Sequence, residues 1–251
     1  MARHLAGYYS SVNLAALTAF NAIADTQLFS TGTNLRVDPT VNMLAMASCI
    51  YYGTSVTQTQ LGSPSLRQLA PLDVSAQQII PPLYSPISKL DLYDNPLKLA
   101  PNESLTFSVN GGAGGAVGGY GFVEFVDAPI KPVTGNIFTV QATGAATLIA
   151  GKFVNTALTL GTVLPAGTFN VVGLRVEGAH LLAARLSFVG QAFRPGVLAQ
   201  SVPNIPDDLR YRAGNSGVFG SFNINQPPTL DCCGTGTDNA QTVYLDLIKT
   251  A

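Results

Sequence analysis

Beyond residue 26 the chain is a succession of short runs rich in Val, Ile, Phe, Tyr and Thr, each closed off by Gly, Pro or Asn. The runs are TQLFST, NMLAMASCIYYG, SKLDLY, ESLTFSVN, GFVEFVD, NIFTVQA, ATLIAGKFVN, GTFNVVGLRVEG, HLLAARLSFVG, GVFGSFNI and QTVYLDLI. Such residues fit a pleated, half-buried surface, and their spacing leaves no room for the crossover helices of a parallel sheet. The pattern predicts an all-β sandwich spanning 26–251. One elaborated sandwich is the favoured form, with a double one as the alternative. A weak echo between LAPNESLTFSV and VLPAGTFNVVG falls well short of half the chain length and is read as two hairpins of one sandwich.

The segment before residue 26 reads differently. Leu14, Leu17, Phe20 and Ile23 recur every three residues among alanines, with Ser10 or Ser11 available as N-cap, which predicts a short helix over 11–25. Residues 1–25 are therefore expected to form an arm outside the sandwich. Its apolar stripe would dock on the sandwich, on a neighbouring subunit or on a membrane surface.

Two stretches are too rich in proline for central strands: 63–101, and 193–212 with Pro195, Pro203 and Pro206. They are expected to be long surface excursions. The segment VNGGAGGAVGGYGFVEFVD concentrates Gly111, Gly112, Gly114, Gly115, Gly118 and Gly119 before an alternating apolar run. A dinucleotide fingerprint starting at Gly112 needs a third glycine where Val117 stands, and a P-loop needs a Gly-Lys-Ser/Thr helix start that is missing. The stretch is read as a flexible hairpin crest able to thread close to another backbone.

No catalytic constellation emerges. The two histidines, His4 in a presumed mobile terminus and His180 near a turn, cannot build a histidine-rich metal centre, and no G-x-S-x-G elbow is present. The close carboxylate sets, Asp91 with Asp94, Glu124 with Asp127, and Asp207 with Asp208, are read as solvated surface groups. Three cysteines, Cys49, Cys232 and Cys233, cannot all pair, and neighbouring cysteines would form a strained bond. No catalytic, cofactor or metal residue is assigned, and the reading is not an enzyme.

Charged residues make up 11% of the chain and hydrophobic ones 47%, while a typical soluble domain carries about 25% charge. Such a surface fits burial against other subunits. The net charge of −1 and a first stretch with one basic side chain, Arg3, apart from His4, argue against strong direct nucleic-acid binding. No run reaches the roughly 18 apolar residues of a membrane span, and the N-terminus has no continuous apolar core, so cytoplasmic synthesis is expected.

Many short strands, proline-rich excursions, low charge and an N-terminal arm together resemble the jelly-roll major capsid proteins of icosahedral viruses. The resemblance is architectural, covers roughly Thr26 to Ile248, and carries over no residue role. Small RNA-virus coats of this kind begin with a basic arm, which is missing here, so the chain looks more like coats of viruses whose genome is packaged by other means, including DNA phages with an inner membrane. The resemblance implies a coat subunit that self-assembles in the virion, made in the host cytoplasm. Its partners would be copies of itself, other virion proteins and, peripherally, an inner membrane. The alternative is a spike, fibre or extracellular β-sandwich adhesin binding a surface glycan.

Overall fold

The computed structural model describes residues 1–11, 16–25, 30–52, 56–66, 72–78, 88–111, 118–199 and 211–250. The chain divides into two compact units. The N-terminal unit comprises Ala2–Ile80 and Ile87–Pro129, and the C-terminal unit is built on Ile130–Ala251.

The N-terminal unit carries β1 (Arg3–Ser10), β2 (Thr18–Ala19), β3 (Asn21–Ala22), β4 (Ser30–Thr31), β5 (Asn34–Arg36) and β6 (Met43–Tyr52). These are followed by β7 (Gln58–Gly62), β8 (Ala76–Gln78), β9 (Leu90–Asp91), β10 (Leu97–Lys98), β11 (Ser104–Asn110) and β12 (Gly118–Val126). One sheet runs β10–β6–β12–β1–β3, with β8 and β9 also on β6. The other runs β2–β11–β5–β4, with β7 on β11 and Leu72 bridged to Leu61 of β7.

The C-terminal unit holds β13 (Phe138–Gly144), β14 (Val154–Ala157), β15 (Thr159–Leu160), β16 (Thr168–Glu177) and β17 (Leu181–Ser187). It continues through β18 (Gly196–Leu198), β19 (Gly220–Asn223), β20 (Thr229–Gly234) and β21 (Gln241–Lys249). Its sheets run β15–β13–β21–β16–β19 and β14–β20–β17–β18. With β14 and β15 counted as two halves of one strand, these orders are first–eighth–third–sixth and second–seventh–fourth–fifth. That is the strand order of a jelly roll.

The N-terminal unit has the same order. β1, β12, β6 and the β9/β10 pair stand as first, eighth, third and sixth; β5, β11, β7 and the Leu72 bridge stand as second, seventh, fourth and fifth. The single elaborated sandwich expected over 26–251 is thus corrected to its alternative, two jelly rolls in tandem, and residue 26 is no boundary. Third strands begin at Met43 and Thr168, eighth strands at Gly118 and Gln241, so the repeat is about half the chain. The shorter sequence echo matched β11, a seventh strand, to β16, a third strand.

Over the described residues 16–25, a strand that changes sheets stands in place of the expected helix. Thr18 and Ala19 pair with β11, Asn21 and Ala22 pair with β1, and Phe20 between them is fully buried, its ring 6.0 Å from that of Phe107. The C-terminal unit repeats the device: β14 pairs with β20, β15 with β13, and buried Leu158 lies between. A three-residue apolar spacing suits this crossing as well as a helix, and cross-sheet hydrogen bonds outweigh alanine's helix propensity here. β1 itself is no mobile terminus, because it pairs with β12 from Arg3 to Ser10.

Strands of the two units differ in how fully they are covered. Every residue of β12 is buried, so GGYGFVEFV is a strand with both faces covered. Inside the sandwich Tyr8 of β1 packs 5.7 Å from Phe107 of β11, and its hydroxyl donates to the Leu105 carbonyl at 2.7 Å, tying the two sheets together. In contrast β13 alternates: Val140, Ala142 and Gly144 face in, while Thr139, Gln141 and Thr143 are exposed. The run ATLIAGKFVN is mostly loop before β14. Gln241 substitutes for a ladder there, accepting from Ala146 N–H at 2.8 Å and donating to the Ala146 carbonyl at 3.0 Å.

Candidate functional site

The glycine-rich stretch is not a hairpin crest, since β11 and β12 belong to different sheets and it carries the chain between them. Gly112, Gly114 and Gly115 lie outside the described residues, and Gly111 is buried at the end of β11. Gly118 and Gly119 belong to β12 itself, where close approach explains them. A Cβ on Gly119 would lie 2.6 Å from the Ile50 carbonyl oxygen, and one on Gly118 would strike the Tyr52 ring.

Of the expected arm residues, Phe20 and Ile23 are buried in their own unit, Leu17 is 43% exposed, and Leu14 lies outside the described residues. The three described residues do not form one exposed stripe. His4, placed at a mobile terminus by sequence, is fully buried, its Nε2 3.0 Å from Asp25 Oδ2. His180 sits in the turn between β16 and β17, where its carbonyl accepts from Thr235 N–H at 2.9 Å. Asp207 and Asp208 lie outside the described residues.

The polar centres that do form were read as surface groups or passed over. Glu124 of β12 is fully buried, on the face away from the sandwich interior. Its Oε1 accepts from Arg3 Nε at 2.9 Å, and its Oε2 accepts from the Tyr93 hydroxyl at 2.6 Å. Arg3 also lies 5.8 Å from the centre of the Tyr93 ring. The solvated-surface reading of Glu124 is thus corrected: a carboxylate this deep requires its cation and hydroxyl, since an unpaired buried charge is strongly unfavourable.

In the C-terminal unit Asp246 of β21 takes the corresponding place. Arg175 Nη1 donates to Oδ2 at 2.9 Å, Nη2 to Oδ1 at 3.3 Å, Thr139 Oγ1 to Oδ1 at 2.6 Å, and Ala213 N–H to Oδ2 at 2.8 Å. Burial pushes the carboxyl up, but the bonds from Arg175, Thr139 and Ala213 outweigh it and hold the group below the ordinary aspartate range. Asp246 therefore stays anionic at neutral pH and has no proton to give. It lines a cleft of about 440 Å³ with Ile137, Arg212 and Asn215. Ala213 has φ of 50°, an uncommon conformation for alanine that turns its N–H toward the carboxylate.

A third centre stands on the seventh strand. Asp231 of β20 accepts from Arg185 Nε at 3.0 Å, Arg194 Nη1 at 3.1 Å and Asn155 Nδ2 at 2.6 Å, and Arg185 stacks 3.9 Å over the Phe153 ring. All three carboxylates are anchors that tie distant segments to a sheet. Tyr93 lies within the first proline-rich excursion, and Ala213 directly follows the second. The sequence signal for Glu124 was available: a lone acid between the pairs Phe122–Val123 and Phe125–Val126 marks a strand buried on both sides. Among the described residues no cluster of His, Cys, Asp and Glu could hold a metal, and no helix is long and apolar enough to cross a membrane.

No protein-family model and no curated protein matches the chain. Among solved structures it is similar to the STIV MCP, covering 98% of this chain and 97% of that one at 9% identity and a TM-score of 0.27. It is also similar to the major capsid protein P2 from Bacteriophage PM2, covering 99% and 98% at 11% identity and a TM-score of 0.23. The PBSX exported protein XepA is matched over 94% of this chain and 86% of that one, at 11% identity and a TM-score of 0.24. The jelly-roll assignment rests on the strand order of the two units.

Proposed function

We propose that the chain is a coat subunit that self-assembles into a viral shell and is located in the virion. The supporting observation is the tandem jelly roll combined with the scarcity of charge. Arg3, Glu124, Arg175, Asp246, Arg185 and Asp231 are all buried in internal pairs and so do not serve as surface charges. Uncharged Thr, Gln, Gly and Ala surface suits a protein that meets copies of itself, because symmetry multiplies many modest contacts. The carboxylate anchors hold Tyr93, Arg194 and Ala213, which lie in or beside the two proline-rich stretches, to their sheets. The test is light scattering of the purified protein against concentration at low and high salt. Assembly with weak salt dependence is expected, because few surface charges are available to be screened. Monomers at every concentration, or assemblies dissolved by modest salt, overturn the reading.

A further inference from the structure

We draw no further inference here: the strongest candidate, the cleft of about 440 Å³ in the C-terminal unit lined by Arg175, Arg212, Asn215 and Asp246, belongs to the carboxylate centre already described, whose oxygens accept from Arg175, Thr139 and Ala213.

Discussion

Glu124 and Asp246 occupy the same position in the two jelly rolls. Each stands on the eighth strand beside a bulge in the third. The partner of Glu124 is Met46 and that of Phe125 is Leu44, leaving Ala45 extra; the partner of Asp246 is Gly173 and that of Leu247 is Val171, leaving Val172 extra. Bulges re-aim side chains, and here each sits where a carboxylate must be gathered under a covering loop. The acid keeps its place while the cation changes sides, from Arg3 on the first strand to Arg175 on the third. Glu124→Gln and Asp246→Asn should each destabilise the protein by about 3–5 kcal/mol, the loss typical of breaking a buried pair, measured by urea denaturation. A loss below about 1 kcal/mol, as for exposed pairs, would show the carboxylates to be dispensable.

Gly173 makes the Asp246 centre specific to the C-terminal unit. A Cβ at this position would lie 2.8 Å from Asp246 Cγ and closer still to Oδ2. Gly173→Ala should push the carboxylate off Arg175 and cost stability comparable to Asp246→Asn, with the two substitutions strongly non-additive in a double-mutant cycle. Independent, additive effects would show that the glycine is not there to seat the carboxylate.

The Asp246 shift has a definite pH signature. Its folded value lies below the ordinary 3.8, so its contribution to stability is complete above that value. The contribution disappears as pH falls through the lower folded value. Wild type should therefore lose stability on acidification below about pH 4, more steeply than Asp246→Asn does. Parallel stability curves for the two proteins below that pH would remove Asp246 as a source of acid sensitivity.

Phe20 and Leu17 separate the sheet-crossing strand from an external arm. Phe20→Ala should cost about 3–5 kcal/mol, because it opens a cavity against Phe107. Leu17→Ser, at a 43% exposed position, should change stability by about 0.5 kcal/mol or less. Equal and negligible effects at both sites would restore the arm.

The legible part of the fold was what strand periodicity carries: β6, β11, β12, β16, β17 and β21 all stand where alternating or continuous apolar runs predict them. Duplication was hidden because strand order, not residue identity, is what repeats. The acid of β12 is Glu and that of β21 is Asp, with Met46 opposite one and Gly173 opposite the other. β1 was lost because RHLAGYYS places Arg, His and Gly in a strand, each with a partner visible only in three dimensions: Glu124 for Arg3, Asp25 for His4, and the Phe122 ring over Gly7. The buried anchors were missed for the same reason, since their cations come from strands distant in sequence.

Thiol chemistry offers a check on packing. Burial pushes the Cys49 and Cys232 thiols up to about 12, and Cys233 is raised further. The native protein should leave all three cysteines unreactive toward a thiol-titrating disulfide reagent at neutral pH, and denaturant should release all three. Rapid native reaction at Cys232 or Cys233 would show that the seventh strand of the C-terminal unit is not closed.

If the two jelly rolls of this chain form a coat subunit, as proposed, electron microscopy of the purified protein at assembling concentrations should show closed shells or sheets of regularly repeating subunits, preserved at high salt. Uniformly dispersed single molecules at every concentration and salt would contradict it.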